Sequence, residues 1–291
     1  MRVLVTGASG QVGSEVVSAV HRLGHDVIAP ERSGLDLMQP AQVEQRVTLL
    51  VPDWIINCAA YTQVDRAEDE VEQAMTVNRD SAAALARAAA AHSARLLHIS
   101  TDFVFSGEQS RPYREEDAPG PLGVYGRSKL EGEQAVREAL PDAVILRTAW
   151  VYGVHGHNFV RTMLRLAAEG RPLRVVDDQT GSPTWARDIA GVITALMQAG
   201  ASGLYHYTSA GSVSWCGFAS AILSEAMKAG FELRTQTVEP ITTAEYPTPA
   251  SRPVYSVLDT GKIEAELGLS IPDWHDSLVA MLGELYTCET S

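Results

Sequence analysis

The chain has 291 residues, 45% of them hydrophobic, which is enough for a large core in one or two domains. Its formal net charge of −13 at pH 7 argues against sequence-independent binding to nucleic acid or to an anionic membrane surface. The three cysteines are odd in number and far apart, so they indicate neither a disulfide framework nor a zinc site.

The beginning of the chain runs from Arg2 through three apolar residues directly into a glycine turn, which leaves no room for a signal peptide. No uncharged apolar stretch approaches the ~20 residues that a membrane span needs. We therefore expect a cytoplasmic protein without a membrane segment.

Short apolar runs alternate with helical patterns through the first half of the chain. The predicted strands cover residues 3–5, 26–29, 54–60, 95–101 and 143–148. The predicted helices cover residues 11–23, 41–50, 70–92 and 124–139. This alternation is typical of right-handed parallel βαβ units. It predicts an α/β fold with a Rossmann-type doubly wound parallel sheet, whose ligand sites lie at the carboxyl ends of the strands.

The second half is richer in proline and glycine, and its pattern is less regular. Helices are predicted at 159–169, 185–198, 215–229 and 277–285, strands at 173–176 and 204–208, and a loop at 240–253. We expect residues 1–150 to form a dinucleotide-binding domain, completed by elements from about 185–225. The remainder of 151–291 is expected to form a smaller sugar-nucleotide-binding lobe.

Three glycines follow the first predicted strand at the start of the first predicted helix. Gly7 allows a tight turn, Gly10 lets the backbone approach a diphosphate, and Gly13 lets the helix pack close to the strand. The spacing is G-x-x-G-x-x-G, so the prediction depends on its position between strand and helix. The free amides at the start of that helix would then face the diphosphate of a dinucleotide.

The end of the second strand bears on the choice between NADH and NADPH. A carboxylate there accepts the ribose hydroxyls of NAD, whereas an arginine pairs with the 2′-phosphate of NADP. Glu31 and Arg32 stand side by side, so the sequence leaves the choice open. Asp36 and Leu37 follow; they could meet the adenine, or Asp36 could cap the helix that begins near Pro40.

Tyr125 and Lys129 are one turn apart on the predicted helix 124–139, so they share a face. A phenol titrates near 10, and a nearby ammonium favours the phenolate, so Lys129 is expected to lower the pKa of Tyr125. The same ammonium can hold the nicotinamide ribose. Thr101, at the end of a strand, has a hydroxyl suited to polarising the reacting carbonyl.

With these residues, the chain resembles the extended short-chain dehydrogenase/reductases, and within them the dTDP-4-dehydrorhamnose reductases. The resemblance runs nearly end to end. It rests on motifs in both halves: residues 6–13, 57–65, 100–105, 124–126 with Lys129, 147–153, Asn158-Phe159, Asp178-Gln179, 181–184 and Arg252-Pro253.

The resemblance implies an NAD(P)H-dependent reductase with a dTDP-sugar as its small-molecule partner. It assigns catalysis to Tyr125, Lys129 and Thr101. The cofactor contacts that it implies are Gly7, Gly10, Gln11, Val12, Gly13, Glu31, Arg32, Asp36, Leu37, Ala59, Ala60 and Tyr61, with Tyr125 and Lys129. The positions that match sugar contacts are Thr62, Val64, Thr101, Asp102 and Trp150; for Trp150 and Val64, packing is the alternative.

Several alternatives stay open. A dehydratase of the same superfamily typically has an Asp-Glu pair after the threonine, and here Phe103 follows Asp102, which disfavours that reaction. A 4-ketoreductase of another deoxysugar pathway would use the same residues. A non-catalytic regulatory subunit, like the relative that binds methionine adenosyltransferase, shares the fold. Some bacterial members use Mg²⁺ at a dimer interface; the sequence shows no convincing carboxylate cluster, so metal dependence is not carried over, and a homodimer stays open as a further partner.

Overall fold

The computed structural model describes residues 1–290. Its strands, in chain order, are β1 (Arg2–Thr6), β2 (Asp26–Ile28), β3 (Trp54–Asn57), β4 (Arg95–Thr101), β5 (Val144–Thr148), β6 (Val151–Tyr152), β7 (Leu173–Val176), β8 (Thr180–Gly181), β9 (Thr184–Trp185), β10 (Gly203–His206), β11 (Val213–Ser214) and β12 (Val238–Ile241).

Its α-helices are α1 (Gln11–Arg22), α2 (Pro40–Leu50), α3 (Val71–Met75), α4 (Ser81–Ala91), α5 (Val124–Ala139), α6 (Phe159–Ala168), α7 (Ala186–Ala199), α8 (Trp215–Ala229), α9 (Gly261–Leu267) and α10 (Trp274–Thr290). A π-helical turn, Thr76–Asp80, joins α3 to α4, and 3₁₀ turns form at Arg66–Glu68, Asp102–Val104 and Thr243–Glu245. No helix within the described part of the chain is both long and apolar enough to cross a bilayer.

Six parallel strands form the main sheet in the order β10-β5-β4-β3-β1-β2. The central strands β3 and β5 are buried along their whole length, as expected for a parallel sheet with helices on both faces. The predicted α/β doubly wound sheet is confirmed.

Side chains that alternate along the strands build a core on each face of this sheet. Val5 and Leu97 pack with residues of α1 and α7 on one face, and Leu4, Leu96 and Ile145 pack with α2, α4 and α5 on the other. Both faces are therefore covered, which leaves the carboxyl edge of the sheet as the place for a site.

A second core lies under the smaller lobe, where α6, α8 and α10 pack together with β7. Of the segment 185–225, α7 and β10 join the main sheet, whereas α8 packs in this second core. Arg187 of α7 pairs with Glu15 of α1 and with Glu284 of α10, so it ties the lobe to the sheet domain.

Several details differ from the predicted elements, among them the short strands β6, β8, β9 and β11, which were not predicted. The third strand ends at Asn57 and not at Ala60, because Gly7 already turns away from the sheet opposite that point. The helix predicted over 70–92 is interrupted by the π-helical turn Thr76–Asp80. The predicted loop 240–253 begins inside strand β12, which tolerates Pro240 because it is an edge strand paired only with β7. Helix α9 was not predicted.

Candidate active site and dinucleotide groove

The glycine turn between β1 and α1 brings the backbone into close contact with its neighbours. Gly7 has φ +64°, and a Cβ at this position would lie 2.8 Å from the Cα of Ala59. A Cβ on Gly13 would lie 2.1 Å from the carbonyl oxygen of Gly7. Gly10 is the N-cap of α1 and has no side chain to occupy the space in front of the helix. The first amides of α1 are therefore open to an anionic ligand.

A groove of about 920 Å³ runs along the carboxyl edge of β1, β2 and β3 in front of this turn. It brings together most of the predicted cofactor residues: Gly7, Glu31, Arg32, Asp36, Leu37, Ala59, Ala60 and Tyr61. Gly10, Gln11, Val12 and Gly13 lie at the adjoining start of α1, where Val12 packs partly against the core. The groove lies at the carboxyl edge in front of the glycine turn, which is where a parallel α/β sheet binds a dinucleotide.

At the far end of the groove, an arginine and a carboxylate are close together. The Arg32 Nε atom lies 3.4 Å from the Asp36 Oδ1 atom, and the Arg32 side chain is 80% exposed. Asp36 also accepts a hydrogen bond from the Met38 amide at 3.0 Å. The cap of α2 is Gln39, so the alternative of Asp36 as the helix cap is wrong. Arg32 is thus paired with a carboxylate and still largely exposed at this end of the groove.

The start of α5 is held close to the 3₁₀ turn that follows β4. A Cβ on Gly126 would lie 2.2 Å from the carbonyl oxygen of Phe103. The Phe103 and Tyr125 rings meet edge to face with centroids 5.5 Å apart. The Thr101 hydroxyl accepts from the Phe103 amide at 3.2 Å and donates to Asp102 Oδ1 at 3.0 Å. The close approach of α5 to the 3₁₀ turn places the phenol of Tyr125 beside Thr101 and Asp102.

Burial raises the pKa of Tyr125 to about 12; a hydrogen bond with Thr101 opposes the shift and the Asp102 carboxylate adds to it. This direction is opposite to the one expected from the Tyr125–Lys129 spacing. The expectation was wrong because the amine of Lys129 is bonded elsewhere, donating to the Ile99 carbonyl at 2.6 Å. The phenol therefore keeps its proton at neutral pH.

Lys129 is fully enclosed by the sheet. Burial lowers its pKa to about 8, and the nearby Glu133 carboxylate opposes that shift. Its Nζ atom also lies 3.4 Å from Nε2 of His98. Most Lys129 side chains are still charged at pH 7, but this pH is only about one unit below their pKa.

The sequence analysis did not predict a role for several polar residues that support the site. The Asn78 side chain, in the π-helical turn, accepts from the Tyr61 amide at 2.8 Å and donates to Ser128 Oγ at 2.9 Å, so it joins the groove to α5. Arg147 donates to both oxygens of Glu133, at 2.8 and 2.6 Å. The only sign of such residues in the sequence is a polar residue inside an apolar segment, and that pattern does not show which residue it will hydrogen-bond to.

A second cavity, of about 410 Å³, opens between the 3₁₀ turn after β4 and the smaller lobe. Trp150 and Trp215 stack on its wall with ring centroids 3.5 Å apart. Phe103, Arg174 and Arg252 also line it. Of the other residues predicted to touch the sugar, Asp102 hydrogen-bonds to Ser256 of the lining, Thr62 lines the first groove, and Val64 is in the lining of neither cavity. Their roles stay predictions.

We expect Gly181→Ala to disturb this cavity, because a Cβ there would lie 2.4 Å from the Trp150 ring. The three nearest atoms to that Cβ all belong to the Trp150 ring, so the ring must move to make room for it. KM for the sugar substrate should rise about tenfold, the effect of ~1.4 kcal/mol of lost binding. The dissociation constant of the nicotinamide cofactor should stay the same. Initial-rate kinetics and cofactor fluorescence titration measure both.

Gly191→Ala is the matched control, since a Cβ there meets nothing within 4 Å and the residue lies inside α7. It should leave KM unchanged. An unchanged KM in Gly181→Ala as well would mean that Trp150 takes no part in binding the sugar.

Comparison with known proteins agrees with this geometry. The family model described as RmlD substrate binding domain matches residues 1–287. The chain belongs to this family. A dTDP-4-dehydrorhamnose reductase of Escherichia coli (strain K12) is 41% identical to it over 99% of both chains. One from Burkholderia thailandensis is 44% identical over 94% of this chain and 95% of its own.

A solved structure shows the same fold. The dTDP-4-dehydrorhamnose reductase of Bacillus anthracis, crystallised in complex with NADP, superposes with a TM-score of 0.92 at 38% identity. The match covers 97% of this chain and 99% of that one. Among the side chains of residues 1–288, no group of three or more His, Cys, Asp and Glu is placed to hold a metal ion.

Proposed function

We propose that this chain reduces the C4 ketone of dTDP-6-deoxy-L-lyxo-4-hexulose to give dTDP-L-rhamnose. The observation that carries the proposal is the buried, protonated phenol of Tyr125, which sits beside Thr101 and Asp102 at the sheet's carboxyl edge in a chain that belongs to the RmlD family. The relatives named dTDP-4-dehydrorhamnose reductase, with which it aligns along nearly the whole chain, support the substrate.

The groove and the glycine turn fit a nicotinamide dinucleotide, with the diphosphate at the start of α1. Bound there in its reduced form, that cofactor supplies the hydride. The chain supplies the proton. Tyr125 donates it to the ketone oxygen as the C4–H bond forms, and a phenol that stays protonated at neutral pH suits this direction of the reaction.

Thr101 and Lys129 assist this proton transfer. The Thr101 hydroxyl lies against the phenol. By turning its one hydrogen from Asp102 to the ketone oxygen, it would stabilise the negative charge that develops there. Lys129, one turn after Tyr125 on α5, would hold the nicotinamide ribose hydroxyls with its ammonium, which in this structure is buried and donates to the Ile99 carbonyl. The second cavity, with its stacked tryptophans and with Arg174 and Arg252, would take the sugar nucleotide.

The geometry disfavours elimination of water, since the Phe103 ring occupies the place beside Tyr125 where a second acid would be needed. A 4-ketoreductase acting on another deoxysugar nucleotide is the second candidate, because the same three catalytic groups would serve it. A regulatory subunit on this fold is the third.

One experiment separates the first candidate from the other two. The purified protein is given the 4-keto-L-sugar nucleotide, and loss of the reduced-nicotinamide absorbance is followed with NADPH and NADH in separate assays. Consumption with formation of dTDP-L-rhamnose supports the proposal. Absence of consumption with either cofactor would favour a different ketosugar or the regulatory subunit.

For the cofactor, we propose NADPH in preference to NADH, a choice supported by the exposed Arg32 and by the NADP in the Bacillus anthracis relative. Arg32→Ala should raise KM for NADPH about 10–100-fold, the loss of charge-assisted hydrogen bonds to a phosphate. KM for NADH should change little. Arg87→Ala, which removes an arginine paired with Glu44 outside the groove, is the control. Equal effects on both cofactors would contradict a role for Arg32 in binding the 2′-phosphate.

A further inference from the structure

A row of three polar side chains crosses the main sheet at the level of the glycine turn. The strand register places Thr6 of β1 beside Asn57 of β3, and Asn57 beside His98 of β4. Thr6 Oγ1 donates to Asn57 Oδ1 at 2.6 Å, and Asn57 Nδ2 lies 2.8 Å from His98 Nδ1. All three side chains are buried, so they depend on these contacts for their hydrogen bonds.

This row connects the dinucleotide groove to Lys129. At one end, the Ala59 amide donates to Thr6 Oγ1 at 3.3 Å, and both residues line the groove. At the other end, His98 Nε2 lies 3.4 Å from Nζ of Lys129. His98 stays uncharged, because burial and the neighbouring Lys129 lower its pKa well below the ordinary value. One of its two ring nitrogens therefore donates and the other accepts.

The hydrogen bonds of the row can run in two senses. In the first, Thr6 donates to the Asn57 oxygen, the Asn57 amide donates to His98 Nδ1, and Nε2–H of His98 faces a neutral amine. In the second, the ammonium of Lys129 donates to Nε2, Nδ1–H donates to the Asn57 oxygen, and the Asn57 amide donates to Thr6, whose own hydroxyl hydrogen turns to the groove that Thr6 lines. An ammonium has only donors, so the charged lysine is compatible with the second sense alone.

We propose that His98 is a positioning residue for Lys129, and that the row formed by Thr6, Asn57 and His98 changes its sense as Lys129 gains or loses a proton. The change takes one proton from solvent: the amine becomes an ammonium, and the imidazole keeps one proton but carries it on Nδ1 and no longer on Nε2. The Asn57 amide group turns over to exchange its oxygen and nitrogen.

The surroundings of Lys129 allow this change. Burial lowers the pKa of Lys129 to about 8, and the Glu133 carboxylate on α5 opposes that shift. Glu133 is itself paired with Arg147 from β5 and hydrogen-bonded to Ser100 of β4. Tyr125, also on α5, keeps its proton, and burial raises the pKa of the neighbouring Asp102 to about 6. The amine of Lys129 is therefore the group in this cluster whose charge changes between about pH 7 and pH 9.

Nitrogen NMR of the full-length protein tests the proposal without any turnover. Protein labelled with ¹⁵N at its eight histidines is titrated from about pH 6 to pH 10, a range that spans the pKa of Lys129. The signals of His98 are identified by their loss in His98→Gln. We expect the Nδ1–H tautomer at low pH, the Nε2–H tautomer at high pH, and a midpoint near 8. A single tautomer throughout, or a doubly protonated ring at low pH, would overturn the proposal.

Two variants sharpen the test. Lys129→Met has no amine, so its His98 should show the Nε2–H tautomer at every pH; a tautomer change that persists in it would also overturn the proposal. Asn57→Asp offers His98 only acceptors and should fix the Nδ1–H tautomer. If Asn57→Asp does not fold, the wild-type and Lys129→Met titrations still decide the matter.

A kinetic comparison rests on the proposed function. Since the ammonium is the active form, kcat should fall as pH rises through the pKa of Lys129, and in Asn57→Asp this fall should move about one unit higher. His98→Gln, whose amide oxygen can replace Nε2 as acceptor, should retain more activity than His98→Leu, with KM values alike. A tautomer change seen by NMR in a protein without reductase activity would refute the proposed function and leave the present inference standing.

Discussion

Tyr125→Phe is expected to lower kcat for the 4-keto-sugar nucleotide by about 10²–10⁴-fold, the usual contribution of a positioned proton donor. The phenol is the group next to Thr101 that keeps its proton at neutral pH, because burial raises its pKa to about 12. Phenylalanine retains the ring that packs edge to face against Phe103 and removes only the hydroxyl. The dissociation constant of NADPH should be unchanged. Stopped-assay product analysis and cofactor fluorescence measure the two quantities.

Tyr152→Phe is the matched control. The Tyr152 ring is buried in the second core, and its hydroxyl has no hydrogen-bond partner among the described residues. Removing an unpaired buried hydroxyl should leave kcat unchanged and should not lower the thermal midpoint. Full activity in Tyr125→Phe would remove the central residue from the proposed mechanism, whereas equal losses in both variants would point to a general effect on packing.

The parts of the site that lie close together in the sequence were predictable. The glycine turn, the strand before it and the helix after it all fall within residues 2–22, so local spacing was enough to place a ligand site there. Tyr125 and Lys129 lie on one helix, α5, which has the predicted bounds. Local periodicity determines each of these features.

The charge of the phenol shows where local spacing fails. The four-residue interval between Tyr125 and Lys129 suggested that the ammonium acts on the phenol. In the fold, Lys129 donates to Ile99 of β4, and the carboxylate that acts on the phenol is Asp102. These partners come from a different strand and turn, and nothing in the helical pattern of α5 indicates which strand covers it.

The same limit applies to the supporting residues. Asn57 and His98 are 41 positions apart, and Glu133 and Arg147 belong to different elements. Trp215, which stacks on Trp150, comes from α8, 65 positions further along the chain. Such pairs form through the register of the strands and the packing of the lobe. The sequence alone therefore shows which residue types are present, but it does not predict which residues contact each other.

The buried pair of Arg147 and Glu133 carries the second large expected effect. Arg147→Met should destabilise the protein by about 3–5 kcal/mol, because it leaves a buried carboxylate without its partner. Both side chains are almost completely buried, at 3% and 5% exposure, and the guanidinium reaches both carboxylate oxygens. Methionine fills a similar volume, so the loss should come from charge and not from a cavity. Urea unfolding followed by circular dichroism measures it.

The double variant Arg147→Met/Glu133→Leu distinguishes the effect of the unpaired charge from the effect of the lost side-chain volume. Replacing both charges by apolar groups removes the unpaired carboxylate, so most of the lost stability should return. A double variant as unstable as Arg147→Met would show that the buried pair stabilises the sheet directly. Because Glu133 favours the ammonium of Lys129, the double variant should also lose activity at a lower pH than the wild type, even where its stability is restored. A stable double variant with an unchanged pH profile of activity would mean that Glu133 contributes to the fold alone. Loss of activity at a lower pH would mean that the pair keeps Lys129 charged at the pH at which the enzyme works.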